Sequence, residues 1–129
     1  MSIRSNTHLN ISAELVGEIQ QLQQGQSVVK LVTLPTMVAD EFGLVHGGFI
    51  FGLADYAAML AVNEPTVVLG AADSRFIAPV KVGDAPIATA IVIEQKGKKY
   101  SVECMVKVDD KPVYSGVFTC FVVDKHVLS

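Results

Sequence analysis

The sequence lacks the long apolar segments that membrane and secreted proteins carry. No uncharged apolar run approaches the roughly 18–20 residues that a helix needs to span a bilayer. The N-terminal segment from Met1 to His8 is polar and has no hydrophobic signal core. We therefore predict a cytoplasmic protein that does not associate with a membrane.

Positive charge is also scarce. The 129 residues include 10 lysines and arginines against 13 aspartates and glutamates, which gives a net charge of −3 and a pI near 5.5. Nucleic-acid binding needs a clustered positive surface, and the single basic cluster, Lys96 to Lys99, is typical of a solvated hairpin turn. We predict no nucleic-acid partner. Because 50% of the residues are hydrophobic, a disordered chain is excluded as well.

Several well-known catalytic motifs are missing. The sequence contains no Gly-x-Ser-x-Gly, no phosphate-binding loop ending in Gly-Lys-Ser or Gly-Lys-Thr, no Gly-x-Gly-x-x-Gly and no His-Glu-x-x-His. His8, His46 and His126 are too scattered to form a metal site. Cys104 and Cys120 lie in apolar segments, where buried free thiols are expected. We predict no metal and no cofactor, which leaves cofactor-free chemistry or ligand binding.

A length of 129 residues predicts a single domain over residues 1–129. Residues 1–25 form an N-terminal extension, in which apolar residues recur every three or four positions from Ile11 to Leu22 and predict a helix that begins near Ser12 and ends before Gly25. Residues 26–123 form the core. Its first element is a predicted strand at Ser27–Leu34, which stops at Pro35.

The rest of the core consists of one long helix and four strands. The segment from His46 to Asn63 is apolar on almost all sides, which indicates a helix that is buried all round. Strands are predicted near residues 66–78, 85–95, 98–108 and 112–123. A sheet that curls around such a helix covers its apolar surface, so we predict an α+β fold in which an antiparallel sheet wraps around a central helix.

Asp55 is the most informative residue of this predicted helix. It is charged where every neighbouring turn is hydrophobic, and desolvation of a carboxylate is costly. One interpretation is a buried structural carboxylate or an interface residue that neighbouring groups satisfy. The other is a base or nucleophile held in a partly dry cleft. The residues alone leave both open.

The same helix begins with His46-Gly47-Gly48. Free N–H groups and the positive end of the helix dipole can stabilise a developing oxyanion there, and glycines let a substrate carbonyl approach the backbone. Alternatively, His46 caps the helix and the glycines only permit a tight turn. Gly47 and Asp55 are about 12 Å apart along one helix axis, so no single carbonyl contacts both. If they serve one site, two chains must pair with antiparallel helices, which predicts a homodimer with two composite sites.

The segment from His46 to Asp55, with His-Gly-Gly followed by Leu-Ala-Asp, resembles the hotdog-fold acyl-CoA thioesterases, most closely their PaaI-like branch. Arg75-Phe76-Ile77-Ala78-Pro79 and Gly83-Asp84 support the resemblance, which covers roughly residues 26–123 and leaves the N-terminal helix as an addition. It implies a hotdog fold and hydrolysis of an acyl- or aryl-CoA thioester to the carboxylic acid and free coenzyme A.

The resemblance also implies roles for individual residues. The Gly47 amide would polarise the thioester carbonyl, Asp55 of the second chain would activate water or attack the carbonyl, and His46 would help shape the oxyanion end. Coenzyme A would lie along the dimer surface with its pantetheine arm in the interface. Gly48 would border the substrate. Dimers of this family often pair again into tetramers.

Two further residues are candidates for substrate binding. Asp40 stands six residues before His46, where many family members have an asparagine that orients substrate or water. It could raise the pKa of Asp55, act as the base itself or be a solvated loop residue. Arg75 could contact a phosphate of coenzyme A or pair with Asp73.

Two alternative functions remain. A hotdog enoyl-CoA hydratase or dehydratase would use a histidine with an acid on or near the central helix, and His46 is the one histidine near it. A non-catalytic module would bind or sense acyl-CoA, as do the acyl-CoA-sensing repressors of lipid synthesis, whose sequences are similar around Arg75 to Pro79.

Overall fold

The computed structural model describes residues 3–129, which form two α-helices and six β-strands. A short 3-10 turn at Pro35–Met37 precedes the long helix. In chain order the elements are α1 (Ala13–Val16), β1 (Glu18–Gln23), β2 (Gln26–Lys30), α2 (Gly47–Val62), β3 (Val67–Phe76), β4 (Ile87–Lys96), β5 (Lys99–Val108) and β6 (Lys111–Val122).

The strands form one antiparallel sheet in the order β1-β2-β4-β5-β6-β3, and this sheet wraps around α2. Ten of the sixteen residues of α2 are buried, because side chains of the inner sheet face, such as Val29, Val102 and Phe118, close over it. The predicted α+β hotdog fold is confirmed. The bounds predicted for the four strands after α2 agree with the structure within two residues.

The N-terminal helix is present but much shorter than predicted. It ends after Val16 because Gly17 adopts a φ of +111°, and a Cβ there would lie 2.8 Å from the Val29 side chain. The predicted continuation of the helix through Ile19 and Leu22 is wrong, since both lie on β1. Gly25, with a φ of +78°, turns the chain into β2, as a tight hairpin requires. The sheet therefore begins at Glu18, inside the predicted extension.

The strand predicted at Ser27–Leu34 ends at Lys30. Beyond it the backbone bonds to the loop before β4 instead of to a strand: the Leu31 N–H donates to the Pro86 carbonyl and the Thr33 N–H to the Asp84 carbonyl. Both cysteines are buried free thiols, as predicted. No helix of the described residues is long and apolar enough to cross a membrane.

Candidate active site

Asp55 projects from the middle of α2 into a partly buried position. Its Oδ1 atom is buried and accepts no hydrogen bond from any residue in the described part of the chain. Burial raises the pKa of this carboxyl to about 6. An unpartnered buried carboxylate oxygen is uncommon in proteins, because it costs the desolvation energy without a compensating bond.

The surroundings of Asp55 contain neutral polar groups of β6. The pKa of the Cys120 thiol is raised to about 12, mainly by burial and to a smaller extent by the charge of Asp55. The Asp55 charge also raises the pKa of Tyr114, after the larger effect of burial. One helical turn before Asp55, the Phe51 ring packs on Phe118 with 5.7 Å between the ring centroids. Among residues 3–129, Asp55 forms no ion pair.

The N-terminus of α2 offers unpaired backbone donors. His46 occupies the N-cap position, but its side chain does not cap the helix. Its N–H donates to the Met37 carbonyl at 2.9 Å, and its carbonyl accepts the Phe49 N–H at 3.0 Å. Within residues 3–129, the N–H groups of Gly47 and Gly48 have no hydrogen-bond acceptor. These amides at the positive end of the helix dipole can bind an oxyanion.

An apolar groove of about 330 Å³ surrounds Gly47. The Phe76 ring forms one wall, since a Cβ on Gly47 would lie 3.4 Å from it. Phe76 is itself 57% exposed, although it stands on the inner face of β3. The other residues that line the groove are Leu44, Val45, Ile50, Ile77, Ala78, Pro79, Val80 and Val113.

The His46 side chain is exposed and folds over the next turn. Its ring carbon Cδ2 would lie 2.9 Å from a Cβ on Gly48, and the ring meets Phe49 edge-on at 6.3 Å. Gly48 therefore leaves room for the imidazole beside the free amides. The contribution of His46 to the oxyanion end and that of Gly48 to substrate binding stay predictions, with which this placement is compatible.

Asp40 organises the loop before the helix. Its Oδ1 accepts the N–H groups of Phe42 at 2.9 Å and Leu44 at 3.2 Å. The Ala39 N–H closes the same loop by donating to the Leu44 carbonyl at 2.7 Å. This pattern agrees with a loop-forming, exposed carboxylate. A contribution of Asp40 to substrate binding stays a prediction.

Arg75 lies on the outer face of the sheet. Its neighbours along β3, Ser74 and Phe76, point to the inner face, whereas Arg75 and Asp73 border a hollow of about 290 Å³ with Glu103 and Met105. Within the described residues, Arg75 and Asp73 form no ion pair. The structure thus separates Arg75 from the groove around Gly47, and its proposed contact with coenzyme A stays a prediction.

Sequence reasoning missed three residues near the groove: Phe76, Ser74 and Tyr114. The Tyr114 hydroxyl lies 2.5 Å from the Ser74 hydroxyl, and the Tyr114 ring packs edge-on against Phe76 at 5.1 Å. Gly116, two residues after Tyr114 on the same face of β6, was the available signal. A glycine in a strand of large side chains indicates that a neighbouring group occupies its place.

The described residues contain no group of three or more histidines, cysteines, aspartates or glutamates that could hold a metal ion. The site therefore consists of a carboxylate, two backbone amides and an apolar groove. On one chain, Gly47 and Asp55 stand about 12 Å apart along the axis of α2. Gly47 lies next to Phe76 of β3, the edge strand, and Asp55 lies near Tyr114 and Cys120 of the neighbouring β6.

Solved structures of known proteins share this architecture. An uncharacterized protein from Pyrococcus horikoshii is 53% identical, with a TM-score of 0.99 over 100% of this chain and 99% of that one. The PaaI protein from the phenylacetic acid degradation operon of E. coli is 25% identical, with a TM-score of 0.80 over 87% and 83% of the two chains.

Two curated relatives are longer than this chain. Methylthioribose-1-phosphate isomerase of Aquifex aeolicus is 52% identical over 126 residues, which are 96% of this chain but 27% of the relative. The transcription factor FapR of Thermoanaerobacter sp. is 36% identical over 89% of this chain and 58% of the relative. The chain thus spans between a quarter and three fifths of the length of these relatives.

A family model, described as the thioesterase superfamily, matches residues 42–115. This segment runs from the loop before α2 into β6 and includes His46, Gly47 and Asp55. Because the match covers more than half of the chain, and because PaaI proteins are among its structural neighbours, the chain belongs to the thioesterase superfamily, as its His-Gly-Gly and Leu-Ala-Asp segments predicted.

Proposed function

We propose that this protein is an acyl-CoA thioesterase that hydrolyses an acyl-CoA thioester to the carboxylic acid and free coenzyme A. The observation that carries the proposal is the buried Oδ1 of Asp55, which has no hydrogen-bond partner in residues 3–129. A carboxylate left unpaired at a cost in stability is typical of a catalytic base. With a pKa of about 6, most of these carboxylates are ionised at neutral pH.

Each active site is formed by two chains. The outer edge of β3 is unpaired, and an antiparallel β3 of a second copy can extend the sheet there, which sets the two α2 helices antiparallel and side by side. Gly47 of one chain then lies beside Asp55 of the other. The exposed Phe76 and Phe42 supply apolar surface that this association buries. Two such dimers can associate through the outer face of the sheet to form a tetramer.

Catalysis follows from this arrangement. The Gly47 N–H donates to the thioester oxygen and stabilises the negative charge that develops on it. Asp55 of the second chain accepts a proton from water as the water oxygen bonds to the carbonyl carbon. The C–S bond then breaks, and the thiolate of coenzyme A takes up the proton. In the alternative, the Asp55 carboxylate bonds to the carbonyl carbon, and the C–S bond breaks, which releases the thiolate of coenzyme A and leaves an anhydride. Water then hydrolyses the anhydride to the acid and the Asp55 carboxylate, and the thiolate takes up the proton that the water loses.

The two routes differ in the oxygen that reaches the product. In a single turnover in ¹⁸O-labelled water, a water nucleophile places ¹⁸O in the released acid. A direct attack by Asp55 places an unlabelled Asp55 oxygen in that acid and ¹⁸O in the enzyme when water attacks the aspartyl carbon. Mass spectrometry that finds ¹⁸O in the protein and none in the acid therefore identifies direct attack by Asp55.

The function is tested by thiol release from a panel of short, medium and aryl acyl-CoAs. The Asp55→Asn variant keeps the shape of the side chain but not the base, and we expect kcat to fall by a factor of about 10² to 10⁴. Glu64→Gln is the matched control, since Glu64 is an exposed carboxylate just beyond the C-terminus of α2. Unchanged turnover in Asp55→Asn would remove Asp55 from the mechanism.

A second candidate is a module that binds acyl-CoA without hydrolysing it. The relatives named as transcription factors, at 36% identity over 89% of this chain, favour it, because the segment around Arg75 resembles acyl-CoA-sensing repressors. Calorimetry separates the candidates: binding of an acyl-CoA with no acid formed after prolonged incubation favours the module, whereas release of free thiol favours the thioesterase.

A further inference from the structure

A pair of hydroxyl groups lies on the inner face of the sheet next to the candidate active site. The Tyr114 hydroxyl is 2.5 Å from the Ser74 hydroxyl. Tyr114 is fully buried, whereas Ser74 is half-buried on β3, the edge strand. Either hydroxyl can donate to the other. In the arrangement that the greater acidity of a phenol favours, Tyr114 donates and Ser74 accepts. The Ser74 O–H is then free to donate to another group.

The backbone of β6 is adapted to this tyrosine. A Cβ on Gly116 would lie 2.6 Å from the Tyr114 hydroxyl oxygen and 3.1 Å from the Phe118 ring. Any larger residue at this position would therefore displace the hydroxyl from its place beside Ser74. The glycine keeps a polar group in a part of the core that is otherwise apolar.

The hydroxyl pair lies within reach of a substrate bound at Gly47. The Tyr114 ring packs on Phe76, and Phe76 forms the wall of the groove next to Gly47. Ser74 precedes Phe76 by two residues on the same face of β3, a distance of about 7 Å along a strand. An acyl chain whose carbonyl oxygen is held at Gly47, and which extends along β3, passes near the Ser74 hydroxyl.

We propose that the Ser74 hydroxyl, held by Tyr114, is a specificity-determining contact for the acyl group, so that this protein prefers acyl-CoA thioesters with a neutral hydroxyl or oxo group close to the thioester carbonyl. This inference rests on the proposed function and names its substrate class. The groove around Gly47 is lined by apolar side chains, and a few polar groups in such a pocket fix the orientation and identity of the ligand.

The charges around the pair disfavour an acidic acyl group. Burial raises the pKa of Tyr114, the hydrogen bond with Ser74 lowers it, and the negative charges of Asp55 and Asp73 raise it further. The nearest cation on the same strand, Arg75, stands on the outer face of the sheet. A second carboxylate on the acyl chain would therefore meet negative charge without a compensating cation.

The test compares butyryl-CoA, 3-hydroxybutyryl-CoA and succinyl-CoA as substrates of the purified protein. We expect kcat/KM to be about three- to tenfold higher for 3-hydroxybutyryl-CoA than for butyryl-CoA, the range that one hydrogen bond supplies, and lower for succinyl-CoA. Ser74→Ala and Tyr114→Phe bring the hydroxybutyryl-to-butyryl ratio close to one. A residue that only supports the fold would lower both rates and leave their ratio unchanged.

Ser115→Ala is the matched control, because Ser115 alternates with the inward-facing Tyr114 and Gly116 and points to the outer face. It should keep the wild-type ratio.

The same three thioesters are also titrated calorimetrically into the Asp55→Asn protein, so that recognition is measured without turnover. If none is hydrolysed but the Kd ratio depends on Ser74, the proposed catalysis fails and this inference stands. A ratio of one in both measurements, or a ratio that Ser74→Ala does not change, overturns it.

Discussion

The two edges of the sheet are built in opposite ways. At one edge, β1 has six residues, most of them polar, and a register irregularity between Ile19 and Gln21. The Ile3 N–H donates to the Leu22 carbonyl and so covers part of this edge. At the other edge, β3 has ten residues and carries the small residues Gly70, Ala71 and Ala72 at its centre. No other strand of residues 3–129 pairs with its outer side.

Proteins usually protect an edge strand by shortening it, bulging it, covering it or charging it. β1 is short, irregular and partly covered. β3 has a register irregularity between Leu69 and Ala71 and carries Asp73 and Arg75, but it is long, and no described residue covers its outer side. The difference supports the proposal that a second copy adds at β3, whereas β1 ends the sheet. The candidate active site lies beside β3, so the proposed pairing and the proposed catalysis would depend on the same edge. The four predictions below test this contrast, in order of decreasing effect.

The largest effect is expected from complementation between two inactive variants. Gly47→Pro removes the amide donor but suits the first position of a helix, where proline is well tolerated. Asp55→Asn removes the carboxylate. Each homodimer should lose activity by a factor of about 10² to 10⁴. After the two are unfolded together and refolded as an equimolar mixture, half of the dimers are mixed and carry one intact site of two, which restores about a quarter of the wild-type activity. Recovery of no activity would place Gly47 and Asp55 in one chain.

The next prediction compares equal charges on the two edges. Ala72→Lys places a charge at the centre of β3, where it opposes edge pairing. We expect a monomer in sedimentation velocity and a loss of activity of about 100-fold or more, since the carboxylate of the second chain is then absent. Gln21→Lys adds the same charge to β1 and should alter neither quantity. Dissociation by both variants, or by neither, would contradict the contrast.

The third prediction concerns pH. Because the carboxylate form of Asp55 is required and its pKa is raised to about 6, kcat should fall roughly tenfold per pH unit below that value. The free energy of unfolding changes with pH in the opposite direction to kcat. Because Asp55 binds a proton more tightly in the folded protein than in the unfolded chain, its contribution to the free energy of unfolding rises as the pH falls from 6 towards 4.

Asp55→Asn removes this pH dependence and should raise the free energy of unfolding at pH 7 by about 1–3 kcal/mol, measured by urea denaturation. A variant that is inactive and yet more stable excludes misfolding as the cause of inactivity. A less stable Asp55→Asn protein would mean that the carboxylate is paired in the native dimer.

The smallest effect on activity is expected at the protected edge. Gly17→Ala forces a side chain into a φ of +111° and within 2.9 Å of the Lys30 carbonyl. We expect the free energy of unfolding to fall by about 1–3 kcal/mol, measured by thermal or urea denaturation. The kcat of the folded fraction should stay at the wild-type value. A drop in kcat comparable to that of Ala72→Lys would show that both edges serve catalysis.

Most of the fold was predictable because long elements carry strong periodic signals. The helix around Asp55 is apolar on nearly every side, and the strands after it alternate or are bounded by turn residues. The N-terminal region was not predictable in this way. Helical spacing is present at Ile11, Leu15, Ile19 and Leu22. The helix nevertheless ends at Gly17, and a hairpin forms at Gly25, because both glycines have a positive φ. The close approach of Val29 to Gly17 holds the backbone in this conformation.

The candidate site was predictable where a residue type is unfavourable in its local sequence context. It was not predictable where the position of a side chain depends on tertiary packing. A lone carboxylate in an apolar helix is visible in the sequence, as is a pair of glycines at a helix start. The outward direction of Arg75 and the loop bonds of Asp40 depend on strand phase and on local backbone geometry. The contact between Tyr114 and Ser74 joins residues forty positions apart, which no local pattern encodes.

If two chains pair at the outer side of β3, as proposed, the rate of hydrolysis depends on the abundance of the protein. When the functional unit is a pair of chains, its amount follows mass action. Far below the dissociation constant, doubling the total protein quadruples the number of assembled units, whereas far above it the number only doubles. A cell could therefore use the quantity of this polypeptide as a threshold, with hydrolysis rising steeply once enough chains have accumulated.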